Sequence, residues 1–259
     1  VRRFTPLALL FAPLAAVLAF ALPASASSVP TVTSHDIAGY STTRWVRTDS
    51  ATFNLPSNTA CAQSFASHSP AGDGFAITLG PAEESNAGVP FSSTTAASTV
   101  GLSFVPSLSG CGLISPSFAS NVPGYTSSAQ FPATTSFHPG DSVTISLYYN
   151  TSAYFTTAIA KDNTNGAALN TSFTSPSPVT YMGGSATAGY GPFTPQGGST
   201  KLWAIKSVSL KTYSGHLGTL GSFKPSAVDL TSDGTPAGTL YSNPGSMWNA
   251  GANFSIFAH

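Results

Sequence analysis

The sequence predicts an all-β fold, one antiparallel β-sandwich, and three observations predict it. The stretch 138–173 alternates apolar and polar residues with a period of two and is cut by turn residues. No segment beyond the N-terminal leader carries helical periodicity of useful length. The polar positions are dominated by Ser, Thr, Asn and Gly, with only 7% of the chain charged.

The leader comes first. Arg2 and Arg3 precede an apolar run over 7–22, and Ala24-Ser25-Ala26 supplies the small-x-small pattern of a signal-peptidase site. Cleavage is expected after Ala26, with 27–259 forming a single sandwich domain on the extracellular side and no stable membrane anchor. The Pro13 interruption and the cleavage site argue against a retained span. Arg2-Arg3 leaves the choice between general and twin-arginine export open.

Losing Arg2 and Arg3 leaves 9 − 2 = 7 basic against 9 acidic residues. A formal charge of −2 with no basic run excludes nucleic acid and anionic lipid as partners, since both require concentrated positive charge. Nothing in the pattern calls for an oligomer, so a monomer is expected. Cys61 and Cys111 are the two cysteines, and in an exported chain they are expected to form a disulfide.

After a polar lead over 27–34, the segment 44–55 reads as a strand with Trp45, Ala51, Phe53 and Leu55, ended by Pro56. The segment 61–88 is loop-rich, with a short strand at 75–79 and a polar loop at 81–88. Two short strands are expected within 100–118, around 107–111. Pro139-Gly140-Asp141 then makes a turn, because Pro presets φ for the first turn position and Gly supplies the positive φ of the next. Val143, Ile145, Leu147 and Tyr149 alternate with Ser142, Thr144, Ser146 and Tyr148, which places the apolar set on one sheet face. Asn150 to Ala153 turns the chain into 154–161, and Asn165-Gly166 marks a further hairpin before Leu169, Thr171 and Phe173. The Gly-, Pro- and Ser-rich segment 176–200 reads as an irregular loop or as strands interrupted by turns. In 202–212 the apolar phase changes between Ile205 and Val208, as a β-bulge would cause. Strands at 223–230, 239–241 and 252–257 complete the chain.

Several of these segments, in this order, resemble the glutamic peptidases of family G1, the eqolisins. Gly39-Tyr40 and Ala51-Thr-Phe-Asn-Leu-Pro56 are similar to that family's opening and first strand. Tyr125 through Phe131-Pro132 sits where the family has an aromatic run ending in Tyr-Pro. Pro139-Gly140-Asp141-Ser-Val-Thr, the hairpin 154–166 and the closing 250–257 follow in register. The resemblance implies a jelly-roll sandwich of the concanavalin A-like type and a Gln/Glu pair on its concave sheet, the Glu activating water and the Gln stabilising the oxyanion.

The residues depart from that pattern. Ser115 stands where the family's Gln is expected, and the segment 185–190, where the Glu is expected, has no carboxylate. The glutamates of the chain are Glu83 and Glu84, adjacent in the loop 81–88. A dyad would have to pair one of them with Gln63, Gln130 or Gln196. The expectation is therefore a non-catalytic relative that binds an extended peptide or glycan on its concave face, with Ser115, Tyr125 and Gln130 as candidate binding residues. An acid-acting glutamic endopeptidase with a displaced or substituted dyad and a structural surface or matrix protein are the alternatives.

Other chemistries lack their residues. Asp141 and Asp233 belong to turns and Asp229 to a C-terminal strand. The five histidines, His35, His68, His138, His216 and His259, show no metal-ligand spacing, and no metal or other cofactor is expected. No G-x-S-x-G occurs. Tyr125, Tyr148, Tyr149, Tyr154, Trp45, Trp203 and Trp248 could grip a sugar or an extended peptide if several share one exposed concave face; taken singly, Tyr149 and Trp203 are expected to pack in the core and the rest to fill the edges of the sandwich.

Overall fold

The computed structural model describes residues 29–34, 37–67, 73–80, 96–104, 106–107, 109–112, 114–122, 125–131, 137–189, 200–232 and 234–258. The expected leader over 1–26 and the loop carrying Glu83 and Glu84 lie outside them. The strands are β1 (Thr31–Ser34), β2 (Ile37–Asn54), β3 (Asp73–Leu79), β4 (Ala97–Phe104), β5 (Pro106–Ser107), β6 (Gly110–Cys111), β7 (Ser115–Val122), β8 (Tyr125–Gln130) and β9 (Ser142–Asn150). They continue with β10 (Phe155–Asp162), β11 (Ala168–Thr174), β12 (Met182–Gly189), β13 (Thr200–Thr212), β14 (Leu217–Thr219), β15 (Ser226–Thr231), β16 (Leu240–Pro244) and β17 (Phe254–Ala258). One α-helix, α1 (Asn58–Ser67), follows β2.

β2 belongs to both layers. Its first half pairs with β12 and β15, in a layer ordered β8-β7-β4-β3-β12-β2-β15-β1. Its second half pairs with β13 and β9, in a layer ordered β11-β10-β9-β2-β13-β17-β16. The ladder with β12 slips between Met182 and Gly184, and the ladder with β13 slips at Lys211/Thr212. On β2 the first slip spans Thr42 to Trp45 and the second Val46 to Thr48; Thr43, Arg44 and Trp45 are exposed, while Thr42 and Val46 on either side of them are buried. Bulges of this kind turn a strand from one sheet into the next.

Between the layers, Phe53, Phe75 and Trp203 pack with ring centroids 4.5 to 5.8 Å apart. Val143, Ile145, Leu147 and Tyr149 are all buried, so the period-two reading of β9 holds, as does the core placement of Tyr149 and Trp203. The bulge expected near Ile205 is present, with a register slip at Ile205/Ser207. One polar network crosses the core. The Tyr181 hydroxyl lies 2.8 Å from Ser98 Oγ on β4 and 2.8 Å from Thr156 Oγ1 on β10, and Ser98 Oγ lies 2.7 Å from Ser120 Oγ on β7. Each hydroxyl can both donate and accept, so the four satisfy one another without charge.

Two expectations need correction. The start of the segment expected as loop at 61–88 belongs to α1, a helix too short for apolar periodicity to appear but capped by Ser57, whose Oγ accepts the Ala60 amide at 3.2 Å. The segment 176–200 contains β12, a central strand. Among the described residues, no helix is long and apolar enough to cross a membrane.

Cys61 on α1 and Cys111 on β6 are bonded, with Cα atoms 5.1 Å apart. The bond clamps the helix to the β5–β6 hairpin, where Asn58 Oδ1 also accepts the Cys111 amide at 3.2 Å. Alkylation of the native protein without reductant should add no mass, and the double change Cys61→Ser/Cys111→Ser should cost about 2–5 kcal/mol in denaturant unfolding. The β9 assignment has its own test. Ile145→Asp places a charge in the core and should cost about 3 kcal/mol or more. Thr144→Asp disturbs only the half-buried bonds of Thr144 to Thr52 and Asn163 and should cost about 1 kcal/mol. Equal losses would refute the one-sided burial of this strand.

Candidate functional site

The layer containing β12 turns one face to the core and the other away from it. Ala186 and Ala188 on β12, Phe75, Ile77 and Leu79 on β3, and Val100 and Leu102 on β4 form the core side. The alternate positions make the opposite face. Pairing places Ser41, Ser185, Thr78, Thr99 and Ala119 level with one another across β2, β12, β3, β4 and β7. The adjacent row reads Gly39, Thr187, Ala76, Gly101 and Ser117. This face is thus made of small side chains and hydroxyls.

Its centre is closed to solvent. Thr78 and Ser185 have no exposure, Thr187 has 1%, and Thr78 and Thr99 bond to each other at 3.0 Å. Ser185 Oγ is buried with no hydrogen-bond partner. Toward the β4–β7 side the face opens: Ser103 and Ser117 are exposed and Ser115 is half-buried, with Ser103 Oγ donating to the Ser115 carbonyl at 3.4 Å.

The sequence-derived site residues separate accordingly. Ser115 opens β7, and Gln130 pairs opposite Ser117, two residues further along. Tyr125 pairs opposite Val122, at the far end of β8, about 17 Å away at 3.4 Å per residue. The backbone therefore brings Ser115 and Gln130 to one corner and leaves Tyr125 apart; the side chains of Tyr125, Gln130 and Gln63 lie outside the described residues. Ser115 also does not face Ser185. Through Ser103 and Gly74 it is level with Gly189, three strands and about 14 Å from β12. The position level with Ser185 and separated from it by one intervening strand is Thr99, about 10 Å away across β3. That correspondence is set by strand register, which the linear sequence does not display.

The described aspartates lie elsewhere. Asp141 accepts the His138 amide at 2.7 Å within its turn, and Asp162 accepts the amides of Thr164 and Asn165. Asp229 lies on β15 opposite Thr33. Asp233 and Gln196 are outside the described residues. Among those described, no three His, Cys, Asp or Glu side chains cluster as metal ligands.

Asp49 is the carboxyl that sequence reasoning missed. Paired opposite Leu147 and Leu210, it points into the core and has no exposure. It lies against Gly184 of the opposite layer, where an added Cβ would sit in ordinary contact with Asp49 Oδ2, at 3.5 Å, and tight against Val46, at 3.0 Å. Neither carboxyl oxygen has a well-formed hydrogen bond. Burial raises its pKa well above the ordinary aspartate range, and the nearby amides of Ser185 and Ser50 offset this only in part. Sealed between the layers, Asp49 cannot meet a substrate on either outer face.

The fold so built is a concanavalin A-like jelly-roll sandwich. No protein-family model and no curated protein matches the chain. Among solved structures it is similar to scytalido-glutamic peptidase bound to a peptide-based transition-state analogue, with a TM-score of 0.59 and 14% identity over 87% of this chain and 98% of that one. It is also similar to SCP-B, a member of the eqolisin family in complex with the tripeptide Ala-Ile-His, with a TM-score of 0.54 and 14% identity over the same shares. These likenesses support the fold relationship that the sequence resemblance implies.

Asp49 generates a pH prediction. Its raised folded-state pKa means that its contribution to stability is fully present below the unfolded value, about 3.9, and is lost as pH rises through the folded one. Asp49→Asn should therefore match wild type near pH 3 and exceed it increasingly above, by about 1.4 kcal/mol for every tenfold difference in acidity between the two states. Urea midpoints from pH 3 to 8 measure this, and parallel profiles would exclude a buried, weakly acidic Asp49.

Proposed function

We propose that this chain is an exported, non-catalytic relative of the glutamic peptidases that binds an extended peptide or glycan. The observation that carries the reading is β12. At the centre of the sheet it turns Ser185 and Thr187 away from the core, with Ser41 and Thr78 flanking the first and Gly39 and Ala76 the second. A hydroxyl does not exchange protons near neutral or acidic pH, so none of these positions supplies a general base for water. Ligand contact falls to the open corner at Ser103, Ser115 and Ser117, beside the Gln130 backbone, where hydroxyls offer neutral donors and acceptors. The leader pattern and the Cys61–Cys111 bond support export.

The competing reading, an acid endopeptidase, requires a displaced dyad that uses Glu83 or Glu84, or a substituted one for which Asp141 and Asp229 are the next candidates. Purified protein incubated with a denatured protein substrate from acidic to neutral pH should release no new peptides over a buffer control. Loss of one oxyanion donor alone is worth about 100- to 1,000-fold in rate, so a chain without the dyad should show none. Cleavage that disappears in Glu83→Gln or Glu84→Gln would overturn the non-catalytic reading.

A further inference from the structure

We propose that the pocket at the bend of β2 binds a carboxylated sugar residue of an acidic polysaccharide. The pocket has a volume of about 640 Å³ and lies between Thr43-Arg44-Trp45 of β2 and Thr212-Tyr213-Ser214 at the end of β13, with Lys224 beside them. This inference does not depend on the reading of the β12 face or on the catalytic state of the chain.

Charge gives the first argument. The chain beyond residue 26 has few basic side chains, yet Arg44 and Lys224 both line this pocket, and among the described residues no carboxylate does. Both are exposed, and neither is ion-paired with a described carboxylate. Two unneutralised cations on one concavity favour an anion, and the planar fork of Arg matches a carboxylate in particular.

Their placement is built into the fold. The hydroxyl of Thr42, only 6% exposed, donates to the Phe223 carbonyl at 2.7 Å and accepts the Arg44 amide at 3.2 Å. A single buried side chain thereby ties together the two segments that carry the cations. Lys224 holds a left-handed conformation, φ 51° and ψ 62°, that a residue with a Cβ adopts only at a cost in strain. Tyr213 is fixed from behind, its hydroxyl accepting the Tyr181 amide at 3.0 Å, and burial pushes its pKa up to about 12, so the phenol brings no opposing charge.

The remaining lining selects the kind of anion. Trp45 is 57% exposed beside Met182, itself 52% exposed, an apolar surface suited to the C–H face of a pyranose ring. The hydroxyls of Thr212 and Ser214, 2.8 Å apart, offer partners for sugar hydroxyls. The volume lies in the range of organic-ligand sites and exceeds what a lone inorganic anion fills.

The test is calorimetric titration of the purified protein with tetragalacturonate at low salt, against its methyl ester, cellotetraose and a polyglutamate peptide. Wild type should bind the free acid at least about tenfold more tightly than the ester or the neutral glucan, as expected when a charged hydrogen bond is lost. Arg44→Gln/Lys224→Gln and Trp45→Ala should each weaken binding about tenfold or more, with melting temperatures near wild type. Lys206→Gln, an exposed cation of β13 outside the pocket, should leave binding unchanged. Absence of wild-type binding, equal binding of the ester, or undiminished binding by the double variant would overturn the proposal. Polyglutamate binding as tight as tetragalacturonate would overturn the assignment to a sugar. If a variant fails to fold, the comparison of acid and ester in wild type still decides.

Discussion

The structure depends on β2 serving two sheets. An 18-residue strand would ordinarily continue in one layer, but here one ladder slips between Thr42 and Trp45 and the other between Val46 and Thr48, and the chain passes from one layer to the other. The consequences are opposite on the two sides of the bend. At the turn itself, Arg44 and Trp45 are thrown outward into solvent. Three residues past the tightly buried Val46, Asp49 is committed to the interior, because its partners Leu147 and Leu210 both face the core. The same register that buries Ala51 and Phe53 leaves Asp49 no alternative face, since a shift of one residue would expose the whole apolar set.

What could be read from the residues was whatever is wet on one side. Strand β9 alternates cleanly because its outer positions, such as Thr144 and Ser146, are hydroxyls and its inner ones, Val143, Ile145, Leu147 and Tyr149, are apolar or aromatic. The strand β12 was illegible for the converse reason. From Gly183 to Ala188 it is buried on both faces, and its side chains are nearly all small, so no alternation of hydropathy marks it. Its glycines read as loop, whereas Gly184 lies in the sheet, where an added Cβ would press on Val46 and Leu210 at 3.0 and 3.2 Å. The helix α1 was missed because a disulfide and a serine cap hold it. Neither leaves a periodic trace.

The candidate site shows the same limit. Ser115 and Gln130 converge because β7 and β8 are a hairpin, a local relation that short-range sequence can carry. The alignment of Thr99 with Ser185 is nonlocal, passing through β3, and rests on two registers at once. Asp49 looked like an ordinary polar residue between Thr48 and Ser50. Only its partners on neighbouring strands show that it faces inward.

That buried carboxyl separates two properties easily confused in a fold similar to that of glutamic peptidases. A carboxyl whose neutral form is favoured by burial makes the folded chain relatively more stable at low pH, through the difference in protons bound by folded and unfolded states. A catalytic carboxylate makes a reaction pH-dependent through the protonation of a group that touches substrate. Asp49 can do the first and not the second, because it lies between the layers and the hydroxyl face lies beyond β12. The contribution of Asp49 to the pH dependence of stability therefore arises in the core, and it carries no implication of proteolysis. The two would part company in a single variant, since Asp49→Asn alters the dependence of stability on pH while leaving every residue of the outer faces in place.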